Sequence, residues 1–520
     1  MVLLIRFRGG VSLLRVLGVA SILLCATTPV RAETLVDAIV DAYRNSPQLQ
    51  AQRAQLRALD ESVIQAGAPY RLSVGITATI GYNDRLQRSA IDPGFAQFQQ
   101  RSMGTSLSVG QLLSSGGRTA AQLSAAEADV LAGRERLRQA ENEILYQVVD
   151  AYMAVLRDGD LADIQARSVA SYERQVAQAR AREAEGDLTR TDIAQAEAQL
   201  LIIRAALAQT QASLEQSRSR FAALVGRNPG MLVAPPPLPG LPASIDAAYH
   251  AATQDSPLLW QAVLAEQASR HRIAAERAER NPTISAQGSY GYVNPLGFQT
   301  RDLGRTFSGG ITVTMPILGQ GVIGSRVRAA IANQQSAEFQ VEDTRRSVAA
   351  GLLNAWNQTV TAQRQIARGE AAVAAARLAL DGVRRGFAEG FRSNFELIDS
   401  EQRLLNAQVL LANARFGLYT GQALLLAQLG RLDAAALTPD APRYDAGDNL
   451  RRQKAAQVGP FVPIVRAFDQ LQVSSGHSRP APVPAIGPDV RFAPASPAAP
   501  SDGGALARGL PFPADGRSDR

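Results

Sequence analysis

Residues 71–82 read "RLSVGITATIGY". Leu72, Val74, Ile76, Ala78, Ile80 and Tyr82 alternate with Arg71, Ser73, Gly75, Thr77, Thr79 and Gly81. Successive side chains of a strand point to opposite faces, so the segment predicts a strand with one apolar face and one small, polar face. The pattern recurs three times. Met103, Thr105, Leu107 and Val109 alternate with Ser102, Gly104, Ser106 and Ser108. Ile284, Ala286, Gly288, Tyr290 and Tyr292 oppose Thr283, Ser285, Gln287, Ser289 and Gly291. Phe307, Gly309, Ile311, Val313 and Met315 oppose Thr306, Ser308, Gly310, Thr312 and Thr314.

Two readings fit such strands. In a soluble sheet the apolar side lies on a core and the polar side in water. In an outer membrane, ~9–11 residues span the lipid and the polar face lines a lumen. The second is favoured by strand length, by the small, almost entirely uncharged residues of the polar side, and by the lack of any further element to cover the apolar side. Four strands cannot close a membrane barrel, whose smallest members have about eight, and an open edge in lipid strands its backbone groups. Several chains must then share one barrel.

The segments after each strand pair have another period. No proline occurs between Pro93 and Pro229, or between Pro316 and Pro439. Both blocks carry apolar residues at helical spacing, as at Ile144, Val148, Ala151 and Val155. One helix over 118–185 would be roughly 100 Å long at ~1.5 Å per residue, a length suited to a coiled-coil-like hairpin.

The whole plan occurs twice. "ETLVDAIVDAYRNSPQLQAQRAQL" from Glu33 and "ASIDAAYHAATQDSPLLWQAVLAEQ" from Ala243 share a Ser-Pro step, at Ser46–Pro47 and Ser256–Pro257. The expected organisation is a signal peptide over 1–32, a first repeat over 33–227, a proline-rich linker over 228–242, a second repeat over 243–437 and a disordered tail over 438–520. The leader rests on Arg6 and Arg8, an apolar run from Val11 to Ala26, and "VRA" at 30–32. The tail is rich in Pro, Ala and Ser and is expected to be disordered beyond a few anchored residues.

Each copy also breaks its long helix. "AREAEGDLTRTDIAQAEAQ" (181–199) and "GFAEGFRSNFELIDSEQ" (386–402) align with Gly186 on Gly390, Asp192 on Glu396 and Glu197 on Glu401. The glycines, Gly386 included, are expected to break the helix. Glu396 and Asp399, at i and i+3, share one face of the helix that restarts.

Composition removes other classes. The chain has 520 residues, a net charge of +7 and only 5% aromatics. Its arginines are scattered among acids rather than clustered, which argues against a nucleic-acid partner. Cys25 is the only cysteine and lies in the leader after Leu24, where lipid attachment requires a small residue. The mature chain then has no thiol nucleophile. His250, His271 and His477 lack metal-ligand spacing. No catalytic site, cofactor or metal is expected.

In this combination of features the chain resembles the outer-membrane efflux proteins, the TolC-type channel-tunnel family, over residues 33 to about 437. "SLSVGQLLSSGGR" (106–118) and "ITVTMPILGQGVIGSR" (311–326) lead into the long helices, and "LANARFGLYTGQALLLAQLG" (411–430) resembles the family's closing helix.

The resemblance implies a mainly α fold with a membrane β-barrel. A homotrimer would pool four strands per chain into a barrel of about twelve and extend an α-helical tunnel into the periplasm. It implies a passive exit duct in the cell outer membrane, serving type I protein secretion or multidrug efflux. Its partners would be outer-membrane lipid, a periplasmic adaptor (membrane fusion) protein and an inner-membrane transporter of ABC, RND or MFS type. Gly186 and Gly390 become hinge glycines at the periplasmic tip, and Glu396 and Asp399 an entrance selectivity ring. Thr191, Asp192, Phe387 and Arg392 become gate contacts, with Arg392 bonding Asp192 or Thr191. Phe387 stands where the family's best-known pattern has a tyrosine. The rival reading is a periplasmic adaptor or coiled-coil scaffold of an export complex.

Overall fold

The structure is a computed structural model and describes residues 33–88, 95–434, 444–455 and 462–472. The expected leader lies outside these residues, as does the tail beyond 472. Four strands form one antiparallel sheet in the order β1 (Ser73–Arg88), β2 (Phe95–Ser114), β3 (Thr283–Asn294) and β4 (Gly304–Thr314). Its register joins the four alternations into two continuous faces. Ile76 opposes Leu107, which opposes Tyr290, which opposes Phe307. One residue along, Gly75, Ser108, Ser289 and Ser308 form the matching row of the other face.

On the apolar face Val74, Ile76, Ile80, Phe307, Ile311 and Val313 are exposed. No described helix covers them, and β1 and β4 remain unpaired at the two edges. The first hairpin is longer than the alternation predicts, its pairing running to Arg88–Phe95. Beyond Tyr82 both strands turn polar, with Asp84, Arg85, Gln99 and Gln100, so period two fades from the sequence while the ladder continues.

The helices extend the sheet. Below the strands, α2 (Pro47–Ala66), α3 (Arg118–Glu185), α6 (Pro257–Ala278) and α7 (Val322–Ala388) pack side by side in that order. Further down, α4 (Arg190–Val225) and α8 (Asn394–Leu429) pair with α3 and α7. The helix expected over 118–185 is observed over those residues. Ile144, Val148, Ala151 and Val155 are all buried along its stripe, each large one contributing ~1.5–3 kcal/mol.

Halfway along, the main core gathers α1 (Leu35–Asn45) and α5 (Ile245–Asp255) against α3, α7 and α8. The Tyr152 hydroxyl donates to the carbonyl of Val233 at 2.6 Å and ties the extended segment after α4 onto this core. No described helix is long and apolar enough to cross a membrane.

The tail departs from expectation. Within the segment expected to be disordered, two helices, α9 (Asp448–Ala455) and α10 (Val462–Leu471), pack on α2 and α3. Asn449 Nδ2 donates to Asp60 at 2.9 Å, and Lys454 pairs with Glu127 at 2.9 Å. Asp469 is fully buried. Its carboxylate accepts the N–H of Ser115 at 2.7 Å and of Gly117 at 3.1 Å, and the hydroxyl of Tyr70 at 2.9 Å. These are donors at the start of α3, where Gly117 has no side chain with which to cap them. The segment escaped notice because its apolar residues are few within a long Pro-, Ala- and Ser-rich tail, although Leu450 and Val465 bury against Val63, Tyr70 and Leu123 beside the Asp469 anchor.

Candidate functional site

The two helix breaks form the far end of the hairpins. In the first, α3 stops at Gly186 (φ +84°), and the N–H of Asp187 returns to the Arg182 carbonyl at 2.9 Å. In the second, α7 stops just before Gly390 (φ +82°), and the N–H of Phe391 returns to the Gly386 carbonyl at 2.8 Å. Both are left-handed glycine stops that satisfy carbonyls left over at a helix end.

Gly386 lies inside α7 and breaks nothing, contrary to the sequence reading. A Cβ there would come within 2.7 Å of Arg392 Cγ. Its role is to let the arginine lie across the helix.

The restarts differ. In copy one, Thr189 and Asp192 form a reciprocal cap: the Thr189 hydroxyl and backbone N–H reach Asp192 Oδ2 at 2.7 and 3.0 Å. In copy two, Ser393 accepts the N–H of Glu396 at 3.2 Å, but the Glu396 carboxylate turns to Arg392 at 2.9 Å. Asp399 pairs with Arg403 at 2.8 Å. Glu396 and Asp399 thus sit on one half-exposed face, each with an arginine one turn away.

The expected bond from Arg392 to Asp192 or Thr191 is not formed within the chain. Asp192 is held by its own N-cap, and Arg392, just ahead of α8, takes Glu396 in that helix's first turn, the shorter reach. Thr191 is exposed on the first turn of α4.

A different clamp joins the two turns. Arg182, the residue of copy one aligned with Gly386, donates to the carbonyls of Phe387 and Ala388, both at 2.8 Å. Its guanidinium also lies over the Phe387 ring, 4.7 Å from the centroid. Phe387 is buried against Leu380, Leu397 and Leu188. Asn394 Nδ2 donates to the Asp192 carbonyl at 3.1 Å.

Further up, Arg384 and Ser171 both bond the buried carboxylate of Glu401, at 2.9 and 2.8 Å. Burial, reinforced by Glu401, pushes the Tyr172 hydroxyl's pKa up and keeps it a donor to the Ile398 carbonyl at 3.2 Å. Sequence reasoning missed Arg182, Asn394 and Glu401 as links. Only the alignment of Arg182 with Gly386 hinted that one copy has a long side chain where the other has none.

Among the described residues no group of three or more His, Cys, Asp or Glu is placed to hold a metal.

The family model described as "Outer membrane efflux protein" matches residues 38–227 and 248–431. The chain is 30% identical to the outer membrane efflux protein BepC of Brucella suis biovar 1 (strain 1330) over 434 residues, 83% of this chain and 93% of that protein. It is 25% identical to the alkaline protease secretion protein AprF of Pseudomonas aeruginosa, over 63% of this chain and 69% of the relative. The fold is shared with the Campylobacter jejuni CmeC outer membrane channel at a TM-score of 0.70 and 14% identity, covering 82% of this chain and 90% of that one.

Proposed function

The chain belongs to the outer membrane efflux protein family, and we propose that it assembles as a homotrimer to form the exit duct of a tripartite export system. It is a conduit of the outer membrane, not an enzyme. The observation that carries the assembly is the sheet: an uncovered apolar face, a face of Ser, Gly and Thr, and two unpaired edges. Lipid accounts for the first face and a water-filled lumen for the second.

Closure accounts for the edges. With an even number of antiparallel strands, β1 and β4 run in opposite directions, so the β4 of one copy can pair with the β1 of the next in the same pattern. The helices have matching edges, α2 on one side and α7 on the other. A soluble adaptor would have to bury this sheet on elements of its own, and none of the described elements does so.

Export needs partners that supply energy and cargo: a periplasmic adaptor protein and an inner-membrane transporter of ABC, RND or MFS type. The kinship to a protein named for alkaline protease secretion and to one named for efflux makes type I secretion and drug efflux the two cargo classes. The tips around Gly186 and Gly390 would be the periplasmic end. There Glu396 and Asp399, repeated around the axis, form a ring whose charge is partly offset by Arg392 and Arg403. Thr191, Asp192, Phe387 and Arg392 would meet across copies. Opening would swing α7 and α8 away from α3 and α4. It would therefore break the Arg182 clamp and the Asn394 bond. Packing and a cation over the ring hold Phe387, which needs no hydroxyl for this.

Single-channel recording of the purified protein in a planar bilayer tests the reading. Discrete, cation-preferring steps are expected, larger for Arg392→Ser and less selective when Glu396 and Asp399 become Ala. A water-soluble monomer without conductance overturns the duct. Unchanged currents in both variants overturn the gate assignment alone.

A further inference from the structure

Helix α10 has two apolar sides. The inner one is accounted for: Val465 and Asp469 are buried, with Val462 partly so. The outer one is not. Ile464, Ala467 and Leu471, at i, i+3 and i+7, form a second stripe on the opposite side. Ile464 is 70% exposed and Leu471 84%. A short surface helix in water has no reason to carry such a stripe.

Its place in the fold supplies the reason. Ser114, the last residue of β2, opposes Ile284, and Ile284 opposes Val313 on the exposed apolar face. The hydroxyl of Ser114 meets Gln472 at 2.9 Å and Asp469 at 3.5 Å. The tail therefore docks on the side of the apolar face and at the level where the strands end. Its outer stripe continues the exposed apolar band of the sheet.

Beside it, between α2, α3 and α10, lies an open groove of about 450 Å³, lined by Val63, Tyr70, Leu123 and Val462 with Arg71 and Arg466. Lys454 lines it too, paired with Glu127. Apolar walls with basic residues among them match an acyl chain below a phosphate.

We infer that α10 is a membrane-interface helix, which lies in the inner, periplasm-facing leaflet of the outer membrane and holds anionic phospholipid beside Arg466. Asp469 fixes it to the start of α3, so the helix sets the depth at which the barrel passes into the tunnel. This rests on the membrane reading of the sheet, and the experiment separates the two.

Full-length protein with Cys25→Ala is reconstituted in vesicles of phosphatidylethanolamine and phosphatidylglycerol. Single cysteines replace Leu471, Ile464, Phe307 or Arg190 and carry a nitroxide. Collision with oxygen, which concentrates in lipid, is compared with collision with a water-soluble nickel chelate. Labels at 307, 464 and 471 are expected to favour oxygen several-fold over the label at 190. If 307 favours oxygen while 464 and 471 behave as 190 does, α10 lies in water and the inference fails with the barrel intact. Shielding of 464 and 471 from both reagents means that protein, such as a second copy, covers α10, and also overturns it. If 307 itself resembles 190, the membrane reading of the sheet fails, and this inference with it.

Discussion

The two copies of the repeat differ most at their ends. In copy one, the junction from strand to helix is closed from within: Asp469 caps α3, and Ser114 and Ser115 are buried. In copy two the same junction is bare, with Ile317 89% exposed and Leu318 95%. The turns differ in the same sense. Asp192 is spent on its own helix, while Glu396 reaches outward to Arg392. The helices follow suit, since α3 has a neighbour on each side and, among the described residues, upper α7 packs along α6 on one side. Copy one is the frame of the chain, and copy two carries the surfaces left uncovered, where the proposed assembly would bring other copies. Duplication permits this division because each position exists twice and only one of the pair has to be satisfied internally.

Substitutions can break or sharpen that contrast. The largest effect is expected where copy two leans on copy one. Phe387→Ala removes a buried ring and the platform under Arg182, at a cost of ~3–5 kcal/mol. Limited proteolysis at the turn should speed up sharply, and an unchanged rate would mean that the turns are held apart from this clamp.

Next comes the closed junction. Asp469→Ala leaves the Ser115 and Gly117 donors and the Tyr70 hydroxyl without their acceptor in a buried place, costing ~2–4 kcal/mol. A urea titration in detergent that shows no shift would sink the idea that the tail closes copy one.

A smaller effect separates the two acids. Asp192→Ala should cost ~1 kcal/mol through loss of its cap. Glu396→Ala, an exposed pair, should cost less than ~0.5 kcal/mol. Equal costs would erase the distinction between the turns.

The smallest effect is at the bare junction. Gln320 is the only described non-glycine residue at positive φ, at +51°, and stands where copy one has Gly116. Gln320→Gly should raise stability by less than ~1 kcal/mol, the relief of left-handed strain less the flexibility gained by the unfolded chain. A loss of stability would show that its side chain is needed where it stands.

Much of the molecule could be read in advance, for a physical reason. Strand parity at Ile76 and Phe307, the run of α3 and the stops at Gly186 and Gly390 are local: side-chain period and backbone sterics act within a few residues. The acids at 396 and 399 were legible as one face for the same reason. Their arginine partners were within reach of the same rule, one turn away. The clamp from Arg182 to Phe387 was not, because its partners lie 205 residues apart. The tail was misread for a related reason, since composition averages over the whole segment, while α10 is held by Val465 and Asp469 meeting residues more than 300 positions earlier in the chain.

The sequence by itself determined the periods, the breaks and the duplication, and with them a four-stranded, long-helixed repeat that leaves an apolar face bare. The tertiary structure alone decided which donors Asp469 satisfies, that Gly386 makes room rather than a break, and which copy is left open. Those outcomes depend on residues far apart in the chain that meet only after the helices have packed. A local pattern carries no record of a partner hundreds of positions away.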